Sequence, residues 1–149
     1  MTTSKDISTL NTLIATLLDS VEGYRTSAAD IDRTDLAARF IARADERQSC
    51  VANLQSAVVS AGGKPEEEST LLGGAHRVFL KLKEAIAGRD DKAIVAEIER
   101  GEDHLKHKFE VALADDELSP STRVAIREAW QSVKAGHDEM SALKHGSLA

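Results

Sequence analysis

Apolar residues recur along most of the chain in steps of three and four, the spacing of helices that pack in a bundle. The pattern predicts helices at about residues 4–31, 34–62, 70–88, 91–115 and 120–145. Local signals support two of these boundaries: Gly62-Gly63 stops the second helix, and Ser119-Pro120 begins the last. Because no segment alternates as a strand does, we predict an all-α fold.

The lengths of the connections predict how these helices are arranged. Short turns join the first two helices and the last two, so each pair forms an antiparallel hairpin. About 28 residues, which include the short predicted helix 70–88, join the two hairpins. One long crossover between two hairpins is the arrangement of a ferritin-like four-helix bundle. With 149 residues, the whole chain 1–149 is expected to form a single domain.

Composition and charge narrow the function classes. The net charge is −6 and no run of Lys or Arg exceeds two residues, which argues against a nucleic-acid partner. No apolar run approaches the ~20 residues of a membrane span, and the first residues lack the apolar core of an export signal, so a cytoplasmic protein is expected. The single cysteine, Cys50, excludes an internal disulfide and is interpreted as a packing residue.

One carboxylate interrupts the apolar stripe of the helix predicted at 91–115. Glu102 stands between Ile98 and Leu105 on that stripe, and a buried carboxylate is costly unless it is paired. Arg47 and His137 occupy the stripes of the second and last helices. Since all three lie near mid-helix, we predict a buried polar cluster of Arg47, Glu102 and His137 that fixes the register of the helices.

Short motifs along the chain resemble, in their order, a bacterial family of ferritin-like four-helix bundles of unknown function. The resemblance spans roughly residues 7–143 and is carried by Asn11-Thr12-Leu13-Ile14, Gly23-Tyr24-Arg25, Gly62-Gly63, Ala75-His76-Arg77, Asp90-Asp91-Lys92, Glu99-Arg100-Gly101-Glu102-Asp103 and His137-Asp138. It implies a ferritin-like fold and no established activity. The better-known ferritins and rubrerythrins of this superfamily hold two metal ions among inward-facing Glu and His side chains.

A dimetal site in this fold needs a Glu from each of two helices and a Glu-x-x-His pair from each of the other two. The candidate ligands in this chain are Glu22, Glu46, Glu99, Glu102 and His137. Both Glu22 and Glu46 lie off the apolar stripes, and the residue three before His137 is Lys134 rather than Glu. The full ligand set is therefore missing.

What remains of that set is Glu99, Glu102 and His137, which could hold one iron or manganese ion with water completing the shell. The spacing Glu99-x-x-Glu102 resembles the two carboxylates of the equivalent rubrerythrin helix. Arg47 argues against a metal because a fixed cation repels another. Gly101, beside Glu102, predicts the close approach of a neighbouring backbone, since Gly inside a helix costs ~1 kcal/mol against Ala.

Three functions follow from these observations. We favour a non-enzymatic, stress-associated binding or structural protein with a buried polar cluster in place of a complete dimetal site. The alternatives are an iron- or manganese-dependent oxidase or peroxidase of the rubrerythrin type, and a scaffold that acts as a homodimer or larger homo-oligomer. No catalytic residue and no certain cofactor is assigned, because the chain has no phosphate-binding loop or nucleophile motif.

Overall fold

The computed structural model describes residues 4–68 and 90–147. These residues form helices and turns without a strand, so the all-α prediction is confirmed for this part of the chain. The helices are α1 (Ser4–Asp30), α2 (Thr34–Ser60), α3 (Asp91–Ala114) and α4 (Pro120–Ala142), and a π-helical segment (Leu143–Ser147) follows α4. The short helix predicted at 70–88, with the crossover that contains it, lies outside the described residues.

The four helices pack in pairs, α1 along α2 and α3 along α4, and α1–α3 and α2–α4 contacts join the pairs. The end of α1 meets the start of α3, where the Asp91 carboxylate accepts the backbone N–H groups of Asp32 and Arg33 at 3.1 and 3.2 Å. At the opposite end, Asp6 in the first turn of α1 accepts the N–H of Ser119 at 2.8 Å. Helices α1 and α3 are therefore antiparallel, and α2 runs in the same direction as α3.

Helix α2 ends in a Schellman motif, as the two glycines predict. The N–H of Gly63 donates to the Val58 carbonyl at 3.0 Å, and the N–H of Gly62 donates to the Val59 carbonyl at 2.9 Å. Gly62 has φ +86°, which residues with a Cβ rarely adopt. The Asn11 side chain then binds the next segment by accepting the N–H of Glu66 at 2.8 Å, so α2 ends where α1 begins.

Buried apolar side chains form two clusters, one in each half of the helix assembly. One cluster includes Leu10, Leu17, Leu54, Leu105, Phe109 and Ile126. The other includes Val21, Tyr24, Phe40, Ile94, Ile98 and Met140. The stripes predicted for α2 and α3 are buried, and these include Arg47 and Glu102. The two charged residues lie between the clusters along the helices, so the core is interrupted at mid-height.

The apolar stripe of α4 predicts that Ile126, Trp130, Val133, His137 and Met140 are buried, and this is correct for Ile126, Val133 and Met140. Ser132 and Gly136 are buried, whereas Trp130 and His137 are partly exposed. The pattern of large apolar residues favours the Trp130 side of the helix, but the space available decides otherwise. A Cβ on Gly136 would overlap the Arg47 guanidinium and would lie 2.8 Å from Glu102 Oε2. Small residues on α4 therefore face the charged pair.

The four described helices are long but too polar to span a membrane. Each of the four is longer than the minimum, but none contains an 18-residue stretch that is apolar enough to cross a bilayer. Each helix instead has one buried, mainly apolar face and one exposed, mainly polar face, the pattern of amphipathic helices packed on one side.

Candidate functional site

Arg47 on α2 and Glu102 on α3 form a bidentate ion pair between the two apolar clusters. Nη1 donates to Oε1 and Nη2 donates to Oε2, both at 2.7 Å. The side chains are 0% and 2% exposed, so water does not screen the pair. Parallel N–H···O bonds of this kind match the fork of a guanidinium to a carboxylate and fix the direction of both side chains.

Serines from the other two helices bind the remaining donors of Arg47. Nη1 also donates to Ser20 Oγ at 2.7 Å, Nε donates to Ser132 Oγ at 3.1 Å, and Nη2 donates to the Ser132 carbonyl at 3.2 Å. A guanidinium has five N–H groups, and each of the five has an acceptor. We call Ser20, Arg47, Glu102 and Ser132 the polar layer, to which each of the four helices contributes one residue.

Electrostatics keeps this layer charged. Burial lowers the pKa of Arg47, but the Glu102 carboxylate raises it by more, so the guanidinium pKa stays above its ordinary value. The Tyr24 ring covers the guanidinium, with its centroid 5.8 Å from Cζ. Burial, together with the Glu102 charge, holds the pKa of Tyr24 well above its ordinary value. Its hydroxyl has no hydrogen-bond partner among the residues that the structure describes.

The structure brings Arg47 and Glu102 together and leaves His137 out of their contact. His137 Nε2 lies 2.6 Å from Asp103 Oδ1, and Nδ1 lies 3.4 Å from Asp138 Oδ1. The physical reason is that His137 follows Gly136, and one residue turns the side chain by ~100° around the helix. The prediction that His137 joins the polar cluster is thus corrected, and Ser132 holds the α4 position.

Two members of the polar layer, Ser20 and Ser132, escaped sequence reasoning. Each stands one residue before a buried valine, Val21 or Val133. A serine beside the apolar stripe is common on exposed helix flanks, so the residue type alone carries little signal. The usable signal is Arg47 itself, because a buried guanidinium needs more acceptors than one carboxylate provides.

A second group of ligand-type side chains lies beside the polar layer. The ligand atoms of Glu99, Asp103 and His137 all lie within 4.8 Å of one another, and we call these residues the edge group. Glu99 and Asp103 are four residues apart on α3 and so share a face. Glu99 is buried, His137 is partly exposed and Asp103 is exposed. Lys144 Nζ donates to Glu99 Oε2 at 3.2 Å.

The other candidate ligands lie elsewhere. Glu22 is exposed on α1, and Glu46 is exposed on α2, where it accepts a hydrogen bond from Arg43 Nη1 at 2.8 Å. Among the described residues, no convergent group of three ligand atoms includes either of them. Both carboxylate oxygens of Glu102, another predicted ligand, accept hydrogen bonds from Arg47. The structure therefore joins only Glu99 and His137 of the predicted ligands, and it adds Asp103.

Comparison with known proteins adds a family but no activity. The model of a family described as Domain of unknown function (DUF2383) matches residues 5–115. The match includes Ser20, Arg47 and Glu102 of the polar layer and ends before α4, which supplies Ser132. A search of curated proteins finds no significant match. The polar layer and the edge group are therefore the features of the chain that bear on its function.

Proposed function

The chain belongs to the DUF2383 family of unknown function, and we propose that it is a non-enzymatic, ferritin-like bundle whose central ion pair takes the place of a dimetal centre. The course of the described helices supports the ferritin-like part. Helices α2 and α3 run in the same direction, as do the two helices that the long crossover joins in ferritin-like folds.

The residues at the centre do not fit a dimetal site. Such a site needs several inward carboxylates and imidazoles, and the polar layer offers one carboxylate, two serines and a guanidinium. Both oxygens of Glu102 already accept hydrogen bonds from Arg47. Two unit charges of the same sign 4 Å apart repel by about 4 kcal/mol at an effective dielectric constant of 20, and a divalent ion would be repelled about twice as strongly by Arg47.

One observation carries this proposal: the five N–H groups of Arg47 are all bound by acceptors from three other helices. A fully bonded buried network leaves no donor for a substrate and holds four helices in one register. We therefore assign the polar layer a structural role and the protein a binding or structural function.

Metal analysis of protein from cells supplied with iron and manganese tests the proposal. We expect fewer than two transition-metal ions per chain and no oxidation of ferrous ion above the rate in buffer. Two ions per chain with ferrous oxidation would contradict the proposal if Glu102→Gln abolished both. The matched control is Glu46→Gln, which changes an exposed carboxylate outside the polar layer.

A second candidate function is the binding of one divalent transition-metal ion by the edge group. The convergence of the ligand atoms of Glu99, Asp103 and His137 within 4.8 Å favours it. One imidazole and two carboxylates suit manganese, iron or zinc, with water completing the shell. Asp138 lies 3.4 Å from the other ring nitrogen of His137, where a carboxylate commonly orients a metal-binding imidazole.

Calorimetric titration with Mn²⁺ and Zn²⁺ tests this second function. We expect His137→Ala to weaken binding at least about tenfold, because the imidazole is one of three protein ligands. The control is His104→Ala, since His104 lies on the exposed face of α3. If the His104 variant lost binding and the His137 variant kept it, the ion would be assigned to the surface pair His104 and His107 instead.

The homo-oligomeric scaffold stays a prediction. Large apolar side chains that are exposed in the described residues lie on different helices: Ile41 and Val59 on α2, Val111 on α3 and Val124 on α4. Single exposed apolar residues are normal on monomeric proteins. Light scattering across a range of concentrations would decide this alternative.

A further inference from the structure

Lys144 is the cation that the structure places on the most buried carboxylate of the edge group. Its Nζ lies 3.2 Å from Glu99 Oε2, and the two side chains are 40% and 10% exposed. A carboxylate removed from water needs a partner of opposite charge. Lys144 therefore supplies the charge that Glu99 requires when no other cation is bound.

The residue before Lys144 in the chain, Leu143, packs in the apolar core. Leu143, which begins the π-helical segment, is 4% exposed and belongs to the apolar cluster that contains Ile98 and Met140. The next residues, Lys144 to Gly146, are exposed. The salt bridge to Glu99 is thus a polar contact that holds this exposed end of the chain against α3.

A divalent ion on the edge group would compete with Lys144 for the carboxylate of Glu99. An ion bound by Glu99, Asp103 and His137 would bring two positive charges next to the ammonium group. Like charges at this distance repel each other. The flexible lysine side chain avoids this cost by moving into water.

We propose that Lys144 is a tethered competitor of the metal ion, so that metal binding at the edge group displaces Lys144 from Glu99 and loosens the segment 143–147. This inference rests on the metal-binding function proposed above. Competition of this kind is reciprocal: whatever holds Lys144 on Glu99 weakens metal binding, and the metal weakens the docking of the segment to the same extent.

Calorimetric titration of Lys144→Gln with Mn²⁺ measures the competition. We expect this variant to bind Mn²⁺ about 5- to 10-fold more tightly than the wild-type chain, at the lower end of common coupling effects. The matched control is Lys134→Gln, which removes the same charge from an exposed position of α4. A control affinity within about twofold of wild type would exclude a general effect of net charge.

The outcomes separate the two proposals. Absence of Mn²⁺ binding in both wild type and Lys144→Gln would overturn the metal site and the competition together. Equal affinities in the two proteins, with binding still lost in His137→Ala, would keep the metal site and overturn the competition. Weaker binding by Lys144→Gln would also overturn it, since Lys144 would then assist the ion.

Hydrogen exchange followed by mass spectrometry gives an independent readout on the wild-type chain. We expect saturating Mn²⁺ to speed exchange of the amides in segment 143–147, because the contact between Lys144 and Glu99 is lost. Exchange in the middle of α2 should not change. Unchanged exchange of the C-terminal segment at full metal occupancy would contradict the displacement.

Discussion

Two carboxylates three residues apart on α3, Glu102 and Glu99, lie in different surroundings. Glu102 is held by a guanidinium whose every donor is bound, at a point that water does not reach. Glu99 is held by one ammonium that is 40% exposed, beside an imidazole and an exposed carboxylate. In this chain, burial of an acid therefore indicates a binding site only at Glu99, whose partner can move into water. The partners of Glu102 in the polar layer are buried and fully bonded, whereas the partners of Glu99 in the edge group reach solvent.

The largest expected effect is the loss of the carboxylate from the polar layer. Glu102→Ala leaves the Arg47 charge buried without its partner, and we expect the free energy of unfolding to fall by about 3–5 kcal/mol. Urea denaturation followed by circular dichroism measures it. The control, Glu99→Ala, should cost less than about 1 kcal/mol, because Lys144 can return to water.

A double variant separates the cost of an unpaired charge from the value of the pair. Arg47→Met with Glu102→Leu replaces both charges by apolar side chains of similar length, and we expect a stability within about 2 kcal/mol of the wild-type chain. If Glu102→Ala cost as little as Glu99→Ala, the two carboxylates would be equivalent and the contrast between them would be wrong.

The second effect concerns the glycine that admits the guanidinium. Gly136→Ala places a Cβ in overlap with Arg47 and 2.8 Å from Glu102 Oε2, and we expect a loss of about 1–3 kcal/mol in urea denaturation. Gly101→Ala is the control, because its Cβ would meet nothing within 4 Å. The sequence-based prediction of close backbone approach at Gly101 finds no support, so this variant should gain about 0.5–1 kcal/mol.

The two glycines also show which parts of the buried helix faces can be predicted from the periodicity of the sequence. Periodicity places Arg47 between Ala44 and Val51 on the stripe of α2, and all three are buried. On α4 the same reasoning holds for Val133 but fails beside the guanidinium, where the available space selects Gly136 and Ser132 rather than large apolar side chains. A helix pattern identifies the buried face, but the fine rotation of that face depends on the neighbouring helices.

Unlike the Arg47–Glu102 pair, the contacts that carboxylates at the helix ends make with distant backbone groups were not predicted. A first-turn acid such as Asp6 is expected to complement the dipole of its own helix. In the structure it is fully buried and accepts the N–H of Ser119 at the start of α4. Asp91 likewise bonds backbone groups of the α1–α2 turn, while Asp90 caps α3 by accepting the N–H of Lys92 at 3.0 Å. The residue type and position of these acids do not indicate which distant backbone N–H group each one binds.

A third effect should appear at alkaline pH. Burial raises the pKa of Tyr24 above its ordinary value of 10.0, so the folded chain keeps the phenol neutral while the unfolded chain ionises it. The contribution of the buried Tyr24 phenol to the free energy of unfolding is complete below pH 10. It is lost as the pH rises from 10 towards the folded-state pKa, so the free energy of unfolding falls by up to about 1.4 kcal/mol per pH unit.

Tyr24→Phe tests this assignment by urea denaturation at about pH 8 and pH 11. At the lower pH we expect a change within about 1 kcal/mol, because the hydroxyl has no hydrogen-bond partner among the described residues. At the higher pH the variant should lose less stability than the wild-type chain does. Burial also raises the pKa of Cys50 from 9.0, so part of the alkaline loss should remain. An equal loss in both proteins would show that Tyr24 ionises freely when folded.

The smallest expected effect on the free energy of unfolding concerns the edge group. The imidazole of His137 is 15% exposed, and its partners Asp103 and Asp138 are 54% and 65% exposed, so water screens these contacts. Exposed ion pairs contribute about 0.2–1 kcal/mol, and we expect His137→Ala to lie in that range in urea denaturation with a chelator present. A loss of 3 kcal/mol or more would mean that His137 supports the fold as Glu102 does. A small loss of stability, together with lost metal affinity in the same variant, would mean that the edge group can be changed with little effect on the fold. A polar group is available for binding, rather than for packing, only under that condition.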